Sequence, residues 1–219
     1  MPWQILIAAA VALWLFGKNL PQALLFLFPG LLRARETEDD GSLDPAREPA
    51  MERVVRGLGE LGFSKIGAIE ARPPLSRGFA EQCWAAPALG TFADVSVREG
   101  EVAVTLLTPF PGGAAVATSD FRRPGVDWPD YVAGGLDGMD VPELWAVHRR
   151  RIDHFPAAKT AALWTDFSLA GRLLADAAIK GGPGRRETRR RAAAAFVIAL
   201  VALALSVTSF LQLARLVGR

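Results

Sequence analysis

Apolar residues gather into two long uncharged runs at the ends of this chain and into shorter periodic stretches between them. The C-terminal run, Ala192 to Ala214, is dominated by Ala, Leu, Val, Ile and Phe. At the helical rise it reaches roughly 34 Å, enough to cross a hydrocarbon core of about 30 Å. Backbone groups inside lipid must bond to one another, so the run is predicted as a membrane-spanning helix. At the other end, Trp3 to Gly17 carries no charge, Lys18 interrupts, and Leu20 to Leu32 is uncharged again. No Lys or Arg precedes Lys18, and bulky Leu24 to Phe28 stands where a signal peptide needs small residues for cleavage. The pattern therefore predicts a retained helix from about Trp3 to about Phe28, bent at Pro21 and stopped near Pro29. Lys18, beside Asn19 and Gln22, suits the headgroup region better than the bilayer centre.

Between the spans the period changes several times. Residues 33–48 are charged, with Glu36, Glu38, Asp39, Asp40 and Asp44, and read as a solvated tether. Pro49 can open a helix in which Met51, Val54, Val55, Leu58 and Leu61 share a face, with Gly62 placed to end it. From Phe79 to Phe121 the alternation is that of strands. Ala93, Val95 and Val97 form one run, Val102, Val104 and Leu106 a second after Glu99-Gly100, and Ala115 to Phe121 a third after the turn at residues 109–113. Weaker runs near Ile66 and Phe79 add one or two. Arg122 to Asp140, rich in Gly and Pro, reads as loop. Asp140 then caps a helix with Glu143 at the capping-box position, and Trp145, His148, Ile152 and Phe155 share its face. A longer helix over Ala158 to Lys180 is expected, with Lys159, Asp166, Arg172, Asp176 and Lys180 on its solvent side and Ala161, Ala162, Leu163, Leu169, Leu173 and Leu174 opposite. The fold class is α+β: a small antiparallel meander of about 3–5 strands covered by helices, flanked by the two transmembrane helices. The organisation is 1–32 first span, 33–48 linker, 49–184 α+β domain, and 185–219 basic cluster and second span.

Charge fixes the expected orientation rather than the partner. A formal net charge of +2 implies no polyanion. Cations lie on the inner flank of each span: Arg33 and Arg35 after the first, and Arg185, Arg186, Arg189, Arg190 and Arg191 before the second. By the positive-inside rule the central domain is expected on the cytoplasmic side, and the five arginines can contact anionic phospholipid headgroups. Nucleic acid is not expected, because the basic cluster abuts the membrane and has no interleaved aromatics.

Candidate chemistry is sparse. Cys83 is the single cysteine, which excludes an internal disulfide, and it reads as a small buried residue. His148 and His154 are the only histidines and their i, i+6 spacing turns them apart, so no metal pair forms. Asp120, Asp127, Asp130, Asp137, Asp140 and Glu143 form an acidic stretch that fits no EF-hand. No phosphate-binding loop, nucleophile elbow or dinucleotide fingerprint occurs. No catalytic residue, cofactor or metal site is therefore expected.

Three short segments, Leu61-Gly62-Phe63, Thr108-x-Phe110-x-Gly112 with Thr118, and Leu144-x-x-x-His148-x-x-Arg151, together resemble uncharacterised bacterial two-span membrane proteins with a small α+β domain. The resemblance covers residues 58–151 and implies that fold, with no assigned activity to carry over.

The expected function is a membrane-anchored cytoplasmic module that binds a protein partner or another copy of itself, presenting Trp128, Tyr131, Trp145, Phe155 and Trp164. One alternative is a membrane-tethered hydrolase or transferase using His148 or His154 with Asp127, Asp137 or Asp140. The other is an accessory subunit of a transport complex, in which Lys18 faces a partner helix.

Overall fold

The computed structural model describes residues 2–29, 33–38, 48–72, 75, 79–98, 100–160 and 162–217. The chain divides into two compact units, one holding the terminal helices and the other running from Arg33 to Arg72 and from Arg77 to Arg185.

The terminal unit is built on α1 (Pro2–Leu27) and α6 (Pro183–Val217). Among the described residues these two helices are long and apolar enough to cross a membrane. Most of their large side chains are exposed, with Trp3 and Trp14 at 60% and Val197 at 57%, which in water would leave a wide apolar surface. From Ala192 onward the withdrawn positions on α6 are small and fall on one stripe: Ala192, Ala199, Ala202 and Ser206. Phe26 stacks on Phe196 with ring centroids 4.4 Å apart. The Lys18 ammonium lies 5.1 Å from the centre of the Trp14 ring, one turn back on its own helix. The basic residues before Ala192, expected as a flank of the span, belong to the same helix, which starts at Pro183, since proline suits a first helical turn.

The other unit is a mixed layer of helix and sheet, and the sheet is wider than expected: eight strands in the order β1-β2-β3-β4-β5-β6-β8-β7. These are β1 (Arg33–Glu36), β2 (Ser64–Arg72), β3 (Phe79–Ala86), β4 (Thr91–Arg98), β5 (Glu101–Pro109), β6 (Ala115–Ser119), β7 (Val126–Trp128) and β8 (Tyr131–Gly135). The first six form an antiparallel meander, and β8 then adds parallel to β6 with β7 outside it. Two expectations change. The presumed tether begins as a strand, Arg33–Glu36, whose Arg35 bonds Glu70 of β2 at 3.0 Å. The stretch 122–140, expected as loop, contains the β7–β8 hairpin, closed by Pro129-Asp130, because Val126, Tyr131 and Ala133 bury against one sheet face.

Helices cover both faces. On one side α2 (Glu48–Glu60) and α3 (Val141–His154) enclose Leu58, Phe63, Trp84, Val95, Val104, Leu106 and Leu144. The start of α3 and the end of α2 follow the sequence: Asp140 Oδ1 accepts from Glu143 N at 2.9 Å, and Gly62 after α2 has φ 84°. On the other face lie Ala85, Phe92, Leu107, Ala117 and Tyr131, against Ile179, Trp164 and Phe167. Where α5 (Leu169–Gly181) meets the β5–β6 turn, a Cβ on Gly113 would stand 2.5 Å from Ala178 O, and its φ is +84°, so only glycine fits.

The expected helix over 158–180 is instead α4 (Pro156–Thr160), an irregular stretch, and α5 capped by Ser168, whose Oγ accepts from Gly171 N at 3.1 Å. The face of α5 differs too. Arg172, expected in solvent, is buried with Ala175 and Ile179, while Leu174 is 60% exposed and Leu163 72%. The cause is Asp94 on β4, which is only 6% exposed. Arg172 Nε donates to Asp94 Oδ1 at 3.1 Å and Nη2 to Oδ2 at 2.5 Å, neutralising a carboxylate withdrawn from solvent. Arg172→Met alone should destabilise the fold by about 3–5 kcal/mol, whereas Asp94→Leu with Arg172→Met should recover most of that loss. Denaturation of the full chain in detergent micelles, followed by tryptophan fluorescence, checks both.

Candidate functional site

The residues expected to carry chemistry do not meet. His148, on α3, is fully buried and faces β5 and β6 rather than any acid. Its Nε2 lies 3.0 Å from Thr108 Oγ1 and its Nδ1 2.9 Å from Thr118 Oγ1. The proton positions follow from counting hydrogens. Thr91 donates its one hydroxyl hydrogen to Leu89 O at 3.0 Å, so it must accept from Thr108, 2.7 Å away. Thr108 then accepts from His148 Nε2–H. At the other end Arg151 Nη1 donates to Thr118 Oγ1 at 3.0 Å and to Gly134 O at 2.9 Å, leaving the Thr118 hydroxyl to donate to His148 Nδ1. Both ring nitrogens are therefore used, and the neutral Nε2–H form is fixed. Burial first, and the Arg151 charge second, push the imidazole pKa down to about 3. Burial likewise lowers Arg151, with Arg123 adding to it.

His154 is exposed at the end of α3, with Nδ1 2.7 Å from Arg150 O. Asp127 is exposed on β7. The aromatic docking surface is also corrected: Tyr131 and Phe155 are 4% and 1% exposed, and Trp128, Trp145 and Trp164 pack against the cores. Trp128, Tyr131 and Trp145 lie on the inward side of their elements, which outweighs their capacity to mark an interface.

Two of the acids, Asp137 and Asp140, do reach a common place. They line a cleft of about 850 Å³ at the end of the sheet where β4 turns into β5. Arg53 and Val54 come from α2, Arg98 from β4, Glu101 and Val102 from β5, and Asp120, Phe121 and Arg122 from the segment after β6. Arg98 is held in place: Nη2 donates to Glu81 Oε1 at 3.1 Å, Nε to Ser96 Oγ at 3.3 Å, and its guanidinium lies 4.6 Å from the Phe121 ring and 5.5 Å from that of Phe79. Asp120 is held as well, its Oδ1 accepting from Val104 N at 2.8 Å. Burial pushes its pKa up to about 6, with Asp137 contributing and the Val104 bond and Arg98 opposing. Asp140 is spent on the α3 cap.

A second polar cluster lies under α5. Cys83 Sγ donates to Asp94 Oδ1 at 3.5 Å, and burial followed by Asp94 raises the thiol far above its usual range, so it is inert as a nucleophile. Glu81 is pushed up to about 7, by burial first and by Asp94 second. Burial opposes the Arg172 charge, but Asp94 overrides it and the guanidinium stays protonated. Arg172 Nη1 is buried and has no bonding partner among the described residues. Sequence reading missed both clusters. The isolated Asp94 in an apolar alternation was the available sign of the second, and the first has none, since its residues come from four separated segments.

No protein-family model matches the chain, and no curated protein or solved structure is similar to it. No group of three or more metal-ligating side chains occurs among the described residues.

The His148 environment makes a pH dependence. The native state takes the imidazole proton near pH 3 and the unfolded chain near 6.5, so the unfolded chain binds more protons in between. This contribution is complete above about pH 6.5 and is lost, by about 1.4 kcal/mol per pH unit, as pH falls toward 3. Glu81 acts oppositely: its native carboxyl keeps a proton to about pH 7 against 4.5 for the free group, so that stability is lost as pH rises through this window. Comparing wild type with His148→Gln, whose amide can replace both hydrogen bonds, isolates the histidine. The wild-type advantage should shrink on acidification from pH 6.5, as read from urea unfolding at each pH.

Proposed function

We propose that this chain is a membrane-anchored binding module, its two apolar helices embedded in a bacterial inner membrane and its α+β domain cytoplasmic, with the cleft at the β4–β5 end as its binding site. The observation that carries the reading is the cleft itself: charged groups from α2, β4, β5 and the 120–140 segment line one space of about 850 Å³, within the range of sites for small or extended ligands. The anchor is supported by the exposed apolar faces of α1 and α6, and the orientation by Arg185, Arg186, Arg189 and Arg190 on the first turns of α6. Arg185, Arg189 and Arg190 are exposed and suit anionic headgroups, while Arg191 pairs with Glu187 at 2.5 Å.

The alternative, a tethered hydrolase or transferase, now rests on Asp120 with Asp137 instead of either histidine. It requires a turnover that Asp120→Asn abolishes.

Two measurements test the anchor and its orientation. The protein should stay with the membrane pellet through alkaline carbonate washing. A cysteine at the exposed position Arg122 should escape a membrane-impermeant thiol reagent in intact cells and react after lysis, with buried Cys83 silent throughout. Labelling of intact cells would reverse the orientation.

A further inference from the structure

Strand β5 outruns its neighbour. β6 ends at Ser119, opposite Thr105, and the chain leaves the sheet at Asp120. Asp120 N still donates to Val104 O at 3.1 Å, but Val104 N is satisfied by the Asp120 side chain, because the Asp120 carbonyl has turned away to accept from Gly138 N at 3.3 Å. Val104 is thus the last residue of β5 with partners on that side. Backbone groups two residues apart in a strand point the same way, so Val102 N–H and C=O face past the end of β6. Val102 lines the cleft, and no described residue bonds either group. Its other side is closed, since β4 lies there with Val97 opposite. The cleft therefore contains a short open strand edge, which is unusual because proteins ordinarily cover or blunt such edges.

The charges around that edge are of both signs. Arg98, Asp120 and Asp140 are committed to Glu81, Val104 N and the α3 cap. Arg53, Arg122, Glu101 and Asp137 also line the cleft and make no hydrogen bond or ion pair with any described residue. A ligand that fits all of this must offer a donor and an acceptor at strand spacing and carry side groups of opposite charge. A small anion or cation supplies one of these; an extended peptide supplies all.

We infer that the cleft is a docking site for an extended peptide segment, which adds as a short strand to the free edge of β5 at Val102 and sets its acidic and basic side chains against Arg53 and Arg122 and against Glu101 and Asp137. The inference rests on the cleft being the binding site of the module and names its ligand class. Specificity comes from the flanking charges, and affinity from the backbone pairing.

The test uses the full chain in detergent micelles and the hexapeptide Thr-Glu-Val-Lys-Val-Thr-amide, carrying a fluorescein label on its N-terminus in place of an acetyl cap, read by anisotropy. Saturable binding that weakens with added salt is expected. Methylating the backbone nitrogens of the two central peptide residues should weaken it by about tenfold, the scale of one or two backbone hydrogen bonds. Val102→Pro should do the same from the protein side. Its nitrogen makes no internal bond, so the sheet should survive, as circular dichroism checks. Arg53→Glu with Arg122→Glu should weaken binding of the parent peptide and reduce its salt dependence. Absence of saturable binding to the wild type at millimolar peptide overturns the inference, as does equal binding by the N-methylated peptide and the Val102→Pro variant. A small molecule that stabilises wild type and Val102→Pro alike would keep the cleft as a binding site while removing the peptide. Loss of the protein on carbonate washing would remove the anchor and leave the peptide result standing.

Discussion

The side of the sheet under α5 is organised by one ion pair, Asp94 with Arg172. A carboxylate set into the middle of a sheet face with 6% exposure cannot be left alone, because an unpaired buried charge costs several kcal/mol. The cation that meets it must come from the helix lying over that face. This requirement turns α5 so that Arg172, Ala175 and Ile179 look inward and Leu174 outward, against the preference that hydrophobicity alone would impose. Cys83, which donates to the same carboxylate, and Glu81, whose proton is retained to about pH 7 beside it, complete a polar interior that α5 covers.

That pair also explains where sequence reading failed. A helix over 158–180 follows when charge is taken to face solvent, a rule that holds until a buried partner exists on another element, and Asp94 is 78 residues away from Arg172 in the chain. The β7–β8 hairpin escaped because strands of three and five residues carry too few periods to rise above Gly and Pro punctuation. By contrast, α2, the start of α3, the β4–β5 hairpin and both terminal helices depend on local signals: Gly62 past a helix end, Asp140 three residues before Glu143, alternation over 93–106, and unbroken apolar runs. Those were legible. The cleft was not, since its charged lining is assembled by topology, although Asp137 and Asp140 were among the residues singled out.

The short segments singled out in the sequence come together in the fold. Thr108, Thr118, His148 and Arg151, far apart in sequence, meet in one buried chain of hydrogen bonds, and the Phe110 ring of the same set lies tilted against Phe155, centroids 5.5 Å apart. A Cβ on Gly134 would come within 3.0 Å of Arg151 Nη2, so the strand opposite β6 has to leave room for the guanidinium. These residues tie α3 to the sheet, with Trp145 at 5.8 Å from the imidazole closing one side. They explain why a histidine stands on an otherwise apolar helix face without serving as a base.

The hydrogens in that chain all run one way, from the Arg151 guanidinium through Thr118, the imidazole, Thr108 and Thr91 to the Leu89 carbonyl. Each hydroxyl has a single hydrogen to give, so no member can reverse without its neighbours. The guanidinium at one end can only give and the carbonyl at the other can only receive, which leaves a single arrangement. The interior of the domain is in this sense polarised at folding, and the two tautomers of the imidazole stop being interchangeable the moment α3 docks.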